Sequence, residues 1–252
     1  MNIITVTQAR IGSTRLPGKV LKTINGISLL QIHLERIGLA QKTNKIKVAT
    51  TLETGAEAIC EIAATLGVEY YQGNTTDVLD RFYHAVKEER PDYVVRVTAD
   101  CPLIDPKIID KVISFAVTNR LAYASNTMVT TFPDGMDVEV FTFDALEKAW
   151  KEAVLGSDRE HVTPYIWRNS TFKGGEMFLS GNVTNEPDYG SLRLTVDEPA
   201  DLELITKLIT QLGSKAGWLD YVTYLEQHPE LLRINSDIIH NEGYLKSLSN
   251  DN

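Results

Sequence analysis

Three cations and no anion stand in "QARIGSTRLPGK", Gln8 to Lys19, within a 252-residue chain whose formal net charge is −9. Arg10, Arg15 and Lys19 can each place charge-assisted donors on phosphate oxygens. Gly12 and Gly18 allow backbone to approach such a group closely. Gln8, Ala9 and Ser13 complete the loop, which follows the apolar run "NIITVT" and so leaves a first buried strand. A triphosphate is the guest that fits this chemistry. The P-loop does not explain it, because five residues separate Gly12 from Gly18 where that motif has four, and Val20 replaces its Mg²⁺-binding hydroxyl. No G-x-G-x-x-G occurs, which disfavours a dinucleotide site.

Two later loops carry carboxylates. "TADCPLIDP" follows the run "YVVRV" and "TVDEP" follows "LRL", which would bring Asp100 and Asp197 out at the carboxyl edge of a sheet, where open α/β folds bind ligands. Together they could hold a hard cation that bridges nucleotide phosphates. Taken singly, each also fits a strand end or a helix cap. Ser157 and Glu160 fit a capping box better than a catalytic pair, and His161 fits a packed, positioning residue better than a proton carrier.

The elements that must position these residues alternate. "NIITVT", "KIKVATT", "VEYYQ" and "DYVVRVTAD" read as strands, and "SLLQIHLERIGLA", "GAEAICEIAATLG" and "TTDVLDRFYHAVKEER" as the helices between them. This rhythm predicts an α/β fold, a mostly parallel sheet with helices on both faces. Further on, "YASNT", "MDVEVF" and "LRLTV" read as strands. "TFDALEKAWKEA", "SDREHVTPYIWRN" and "PADLELITKLITQL" read as helices, the last with a proline in its first turn. One domain is expected, with a nucleotide-binding half (1–120), a second half of looser rhythm (121–212) and a C-terminal helical extension (213–252). The terminal "SLSNDN" is expected to fray.

Composition narrows the classes. A chain that is 43% hydrophobic and 23% charged is ordinary globular material. Its acidic balance disfavours nucleic acid and anionic membranes as partners. Two cysteines, Cys60 and Cys101, are too few for a disulfide framework and read as reduced thiols. No run of apolar residues is long enough to span a bilayer, and "MNIITVTQA" lacks the basic start of a signal peptide, so a cytoplasmic location is the expectation.

The opening loop resembles the N-terminal motif of the sugar nucleotidyltransferases, above all the cytidylyltransferases that make CMP-activated acid sugars. "DVLDRFY", "VTADCPLIDP", "PDGMDVEVF", "SDREHVTPYI" and "LRLTVDEPADLE" resemble the spore-coat polysaccharide branch of that superfamily, in the expected order. The resemblance implies a Rossmann-like fold, CTP and an acid sugar as substrates, Mg²⁺ as cofactor and a homodimer. It matches Arg10 and Lys19 to triphosphate-binding positions, with Arg15 in the same loop, and Asp100 and Asp197 to metal-binding positions. Gln72, Asp77 and Arg81 fall in the region that meets the base in relatives. Asn126, Asp137, Glu139, Arg159 and His161 are the polar residues of the blocks that face the sugar, where the sequence departs from the Kdo and sialate enzymes. A sugar 1-phosphate nucleotidyltransferase using another NTP, or a glycosyltransferase of related fold, remains an alternative on these residues. No D-x-D, the common metal motif of such glycosyltransferases, is present.

Overall fold

The computed structural model describes residues 1–239 and 242–251. The chain begins with β1 (Ile3–Gln8), a small hairpin of β2 (Thr23–Ile24) and β3 (Ile27–Ser28), α1 (Leu29–Ile37), β4 (Lys45–Thr51) and α2 (Glu57–Thr65). It continues through β5 (Glu69–Gly73), α3 (Val78–Val86), β6 (Tyr93–Thr98), α4 (Pro106–Thr118), β7 (Tyr123–Ser125) and β8 (Glu139–Thr142). Then come α5 (Phe143–Glu152), α6 (Gly156–His161), α7 (Pro164–Arg168) and β9 (Ser180–Asn182). Three helices end the chain: α8 (Pro199–Leu212), α9 (Trp218–Gln227) and α10 (Glu242–Asn250).

Seven strands form one sheet in the order β5-β4-β1-β6-β8-β7-β9. The first four run parallel, β8 is antiparallel to both β6 and β7, and β9 is parallel to β7. The α/β class with a mostly parallel sheet is therefore observed. Strand alternation explains the two-sided core. Ile4, Val6 and Val94 face Leu79 and Phe82 of α3 and Leu146 of α5, whereas Ile3, Val95 and Val97 face the opposite cluster with Leu30, Ile109 and Leu204. Helix starts follow local chemistry: the Ser28 hydroxyl accepts from the Gln31 amide and the Asp77 carboxylate from the Asp80 amide, caps worth about 1 kcal/mol each.

Four readings of the sequence are corrected. "SDREHVTPYIWRN" is two short helices, because Pro164 has no amide to continue the ladder and Val162 takes a positive φ of 71° between them. Ser157 lies inside α6 and caps nothing, since the helix starts at Gly156. "LRLTV" is an extended segment joined to Asp134 by a single bridge at Arg193, without a strand on either side. "SLSNDN" is held: the Ser157 amide donates to Asp251 Oδ1 at 3.0 Å, although Asn252 lies outside the described residues. The hairpin at "TINGIS" is built on an Asn-Gly turn, where Asn25 and Gly26 have φ of 51° and 80°.

Candidate active site

The sheet order places β1 between β4 and β6, so successive crossovers leave β1 in opposite directions. Ligands bind at such a switch point, outside the carboxyl ends of the strands. Gln8 pairs in register with Thr98, and the loops that follow open side by side. The cleft over them has a volume of about 670 Å³, within the range of small-molecule sites.

Gly18, at φ 63°, starts the tight turn that aims Lys19 into this cleft. The Lys19 ammonium lies 2.8 Å from Asp100 Oδ2 and 2.8 Å from Asp197 Oδ1. Residues 81 and 178 positions downstream of one lysine thus meet on it. Burial alone would raise the Asp100 carboxyl, but the Lys19 charge and the hydrogen bonds from Lys19, Thr98 and the backbone together outweigh it and hold the group well below its ordinary range. Burial likewise opposes the charge on Lys19, and Asp100 and Asp197 reverse that, so its pKa rises. Arg15 joins from the same loop, 2.9 Å from Asp197, 3.7 Å from Glu198 and 3.3 Å from Glu242.

On the nucleotide side, Arg10 and Arg81 both line the cleft, and neither makes an ion pair among the described residues. Burial, then the like charge of Arg10, lowers Arg81 from 12.5 to about 10. Its buried Nε has no hydrogen-bond partner. Two neighbouring guanidiniums, near Glu53 and Asp77 but in an ion pair with neither among the described residues, form a site for an anion.

Beneath the carboxylates, Arg193 reaches Asp134 at 2.6 Å, Asp197 at 3.1 Å and Asp201 at 2.9 Å. Asp201 in turn accepts the amides of Asp197 and Glu198, each at 3.0 Å. The segment bearing Asp197 is therefore held without a strand. Gly135 permits its close approach: a Cβ there would stand 2.7 Å from the Leu194 carbonyl carbon, and the φ is 103°. The cross-strand register sets Arg96 opposite Glu139, and they pair. Glu139 also accepts from Tyr123 Oη and Thr163 Oγ1, both at 2.6 Å. Asp137 lines the cleft close by, and burial, followed by the charges of Asp134, Glu139 and Asp100, pushes its carboxyl well above the usual range.

Of the candidate site residues from sequence, Gln8, Ala9, Arg10, Ser13, Arg15, Lys19, Arg81, Asp100, Asp137, Glu139, His161 and Asp197 line the cleft, and so does Glu160, whose spacing from Ser157 predicts a helix cap. The others lie outside its lining. The Gly12 amide donates to Glu53 Oε1, and Gln72 donates to the Thr51 carbonyl. Asp77 and Arg159 pair with each other at 2.5 Å, tying α3 to α6. Asn126 bonds the Met136 carbonyl and the Val138 amide, which shapes the loop that carries Asp137. Sequence reasoning missed Arg96 and Arg193. A charge inside an apolar run, as in "YVVRV" and "LRLTV", was the available signal.

Below the cleft, His33 links three elements. Its Nδ1–H donates to the Cys101 carbonyl at 2.9 Å, leaving Nε2 to accept from Thr7 Oγ1 at 2.9 Å. Burial lowers its pKa from 6.5 to about 4. The unfolded chain takes up that proton first, so the stabilisation is complete above pH 6.5 and is lost as pH falls toward 4. The loss amounts to about 3 kcal/mol. Urea titrations across this window should show a steeper decline for the native chain than for His33→Gln, and equal slopes would exclude the buried neutral histidine as the cause.

A basic loop at a switch point, facing two convergent carboxylates, defines a nucleotide-dependent α/β transferase. The chain belongs to the cytidylyltransferase family, whose pattern it matches over residues 4–235. It is similar to a solved cytidylyltransferase from Leptospira borgpetersenii, with a TM-score of 0.87 and 34% identity, over 95% of this chain and 100% of that one. The spore coat polysaccharide biosynthesis protein SpsF of Bacillus subtilis is 29% identical, over 91% of this chain and 96% of that protein. A 3-deoxy-manno-octulosonate cytidylyltransferase of Elusimicrobium minutum is 33% identical over 52% of each chain. Among the described residues no helix is long and apolar enough to cross a membrane.

Proposed function

We propose that this cytidylyltransferase joins CTP to an acid sugar, forming a CMP-sugar and pyrophosphate for surface polysaccharide biosynthesis. The observation that carries the reading is the meeting of Lys19, Asp100 and Asp197 beside the unpaired Arg10. The similarity to an octulosonate cytidylyltransferase and to a spore-coat polysaccharide protein supports an acid sugar as acceptor.

In the reaction, the sugar's anomeric hydroxyl attacks the α-phosphorus of CTP, the new O–P bond forms, the bond to the β-phosphate oxygen breaks, and the hydroxyl proton passes to solvent. The protein's task is positioning and charge stabilisation. Arg10, Arg15 and Lys19 hold the triphosphate and neutralise the departing pyrophosphate. Arg81 supplies a further cation at the nucleotide end.

The residues present fit Mg²⁺. Asp100 and Asp197 turn carboxylate oxygens toward one point already taken by an ammonium. Mg²⁺ commonly uses one or two carboxylates together with substrate phosphates. When bound, it supplies charge neutralisation at phosphate oxygens and acidifies a coordinated hydroxyl. The chain then needs no separate general base, and Lys19 turns from the carboxylates to the phosphates.

Pyrophosphate release from four NTPs, each offered with acid sugars and with sugar 1-phosphates, tests this reading. CTP with an acid sugar should be the productive pair, and only with Mg²⁺ present. Release from a sugar 1-phosphate instead, or from no pair, would overturn it.

A further inference from the structure

The family match ends at residue 235, yet part of the cleft wall is built beyond it. Glu242, Tyr244 and Ser247 of α10 line the cleft. Four contacts hold this helix across the opening. Its first residue, Glu242, accepts from Arg15 Nη1 at 3.3 Å. Farther along, Ser247 Oγ lies 3.0 Å from His161 Nε2 and 2.7 Å from Glu160 Oε2. Just past its end, Asp251 accepts the Ser157 amide. A nine-residue helix is about 13 Å long, so α10 runs from the phosphate loop to α6.

The wall continues in aromatic rings. Tyr244 meets His161 edge-on at 5.1 Å and Trp167 at 6.5 Å between ring centroids. The Lys173 ammonium stands 5.3 Å from the Trp167 ring. It also lines the cleft, and it makes no ion pair among the described residues. Contacts thus lead from Arg15 at the phosphate end, through Tyr244 and Trp167, to a cation at the other. A sugar acid has apolar C–H faces suited to aromatic rings, hydroxyls suited to His161 and Ser247, and a carboxylate that needs a positive partner. In this reading Arg10, Arg15, Lys19 and Arg81 serve the nucleotide, while Arg96, Arg193 and Lys246 pair with carboxylates of the chain, which leaves Lys173 for the sugar carboxylate.

We propose that α10 is the acceptor-side wall of the cleft and that Tyr244, Trp167 and Lys173 select the acid sugar. This rests on the functional reading above, and it makes the C-terminal helix, beyond the region shared across the family, a specificity element.

The test measures steady-state constants on the full chain with 3-deoxy-manno-octulosonate and nine-carbon 2-keto acid sugars as probes. For the probe that the native chain turns over, Lys173→Ala and Tyr244→Ala should each raise the acceptor KM tenfold or more, with the CTP KM within twofold of native. Lys173→Arg should restore most of the acceptor affinity. The unchanged CTP KM guards against a general loss of folding. An acceptor KM unmoved in both alanine variants would overturn the proposal, as would a CTP KM that rises in step, because the wall would then serve the nucleotide. Absence of pyrophosphate from the native chain with every acid sugar is a separate result, which overturns the functional reading itself.

Discussion

Asp100→Asn should lower turnover a hundredfold or more while leaving the fold in place. The substitution keeps the side chain's size and removes the charge that faces Lys19 at 2.8 Å. Burial makes that charge costly, and Lys19 leads the groups that sustain it, with hydrogen bonds from Thr98 and the backbone beside it. In the reaction the same carboxylate would balance a divalent cation at the α-phosphate, and losing a main electrostatic stabiliser typically costs ~3 kcal/mol of transition-state stabilisation. The folded state loses one charge-assisted hydrogen bond of a partly exposed group, so the melting temperature should fall by a few degrees at most. Pyrophosphate release at saturating CTP and Mg²⁺, paired with a thermal melt, separates the two effects. Near-native rates would remove Asp100 from the metal site.

Arg193→Met should have the largest effect on stability. Its guanidinium is 4% exposed and serves Asp134, Asp197 and Asp201, the last fully buried. Burial opposes the charge on Arg193, but the three carboxylates together raise its pKa further still. Methionine fills much of the volume but leaves the buried Asp201 carboxylate without the cation it meets at 2.9 Å. Removing one partner from a buried ion pair costs about 3–5 kcal/mol. The damage should also reach the site, because Asp201 holds the amides of Asp197 and Glu198. Urea denaturation of the variant measures the loss, and a change below about 1 kcal/mol would show that Arg193 is not the buried clamp its contacts describe.

Much of the fold was legible because local pattern and tertiary demand agree. β1, β4 and β6 lie in the interior of the sheet, with helices on both faces, so their apolar, β-branched runs announce burial. The helices between them carry apolar stripes that the strands require. Agreement failed where neighbours remote in sequence did the holding. "LRLTV" has strand composition, but Arg193 answers to Asp134 and Asp201 instead of to a second strand. "SDREHVTPYIWRN" has helical composition, but a break at Val162 and Thr163 lets His161, Thr163 and Pro164 all line the cleft.

The basic loop, its failure as a P-loop and the carboxylates after two apolar runs are all facts of residue type and spacing, and the sequence alone determined them. Nothing in that spacing brings Lys19 to Asp100 and Asp197, or ties Arg159 to Asp77 and away from the sugar side. Nor does it show that the last helix closes the cleft from beyond the family's shared region. These depend on which strands are neighbours and on which charges are buried together. Electrostatic pairing acts through a few ångströms of space, across separations of 81 to 227 positions in this chain.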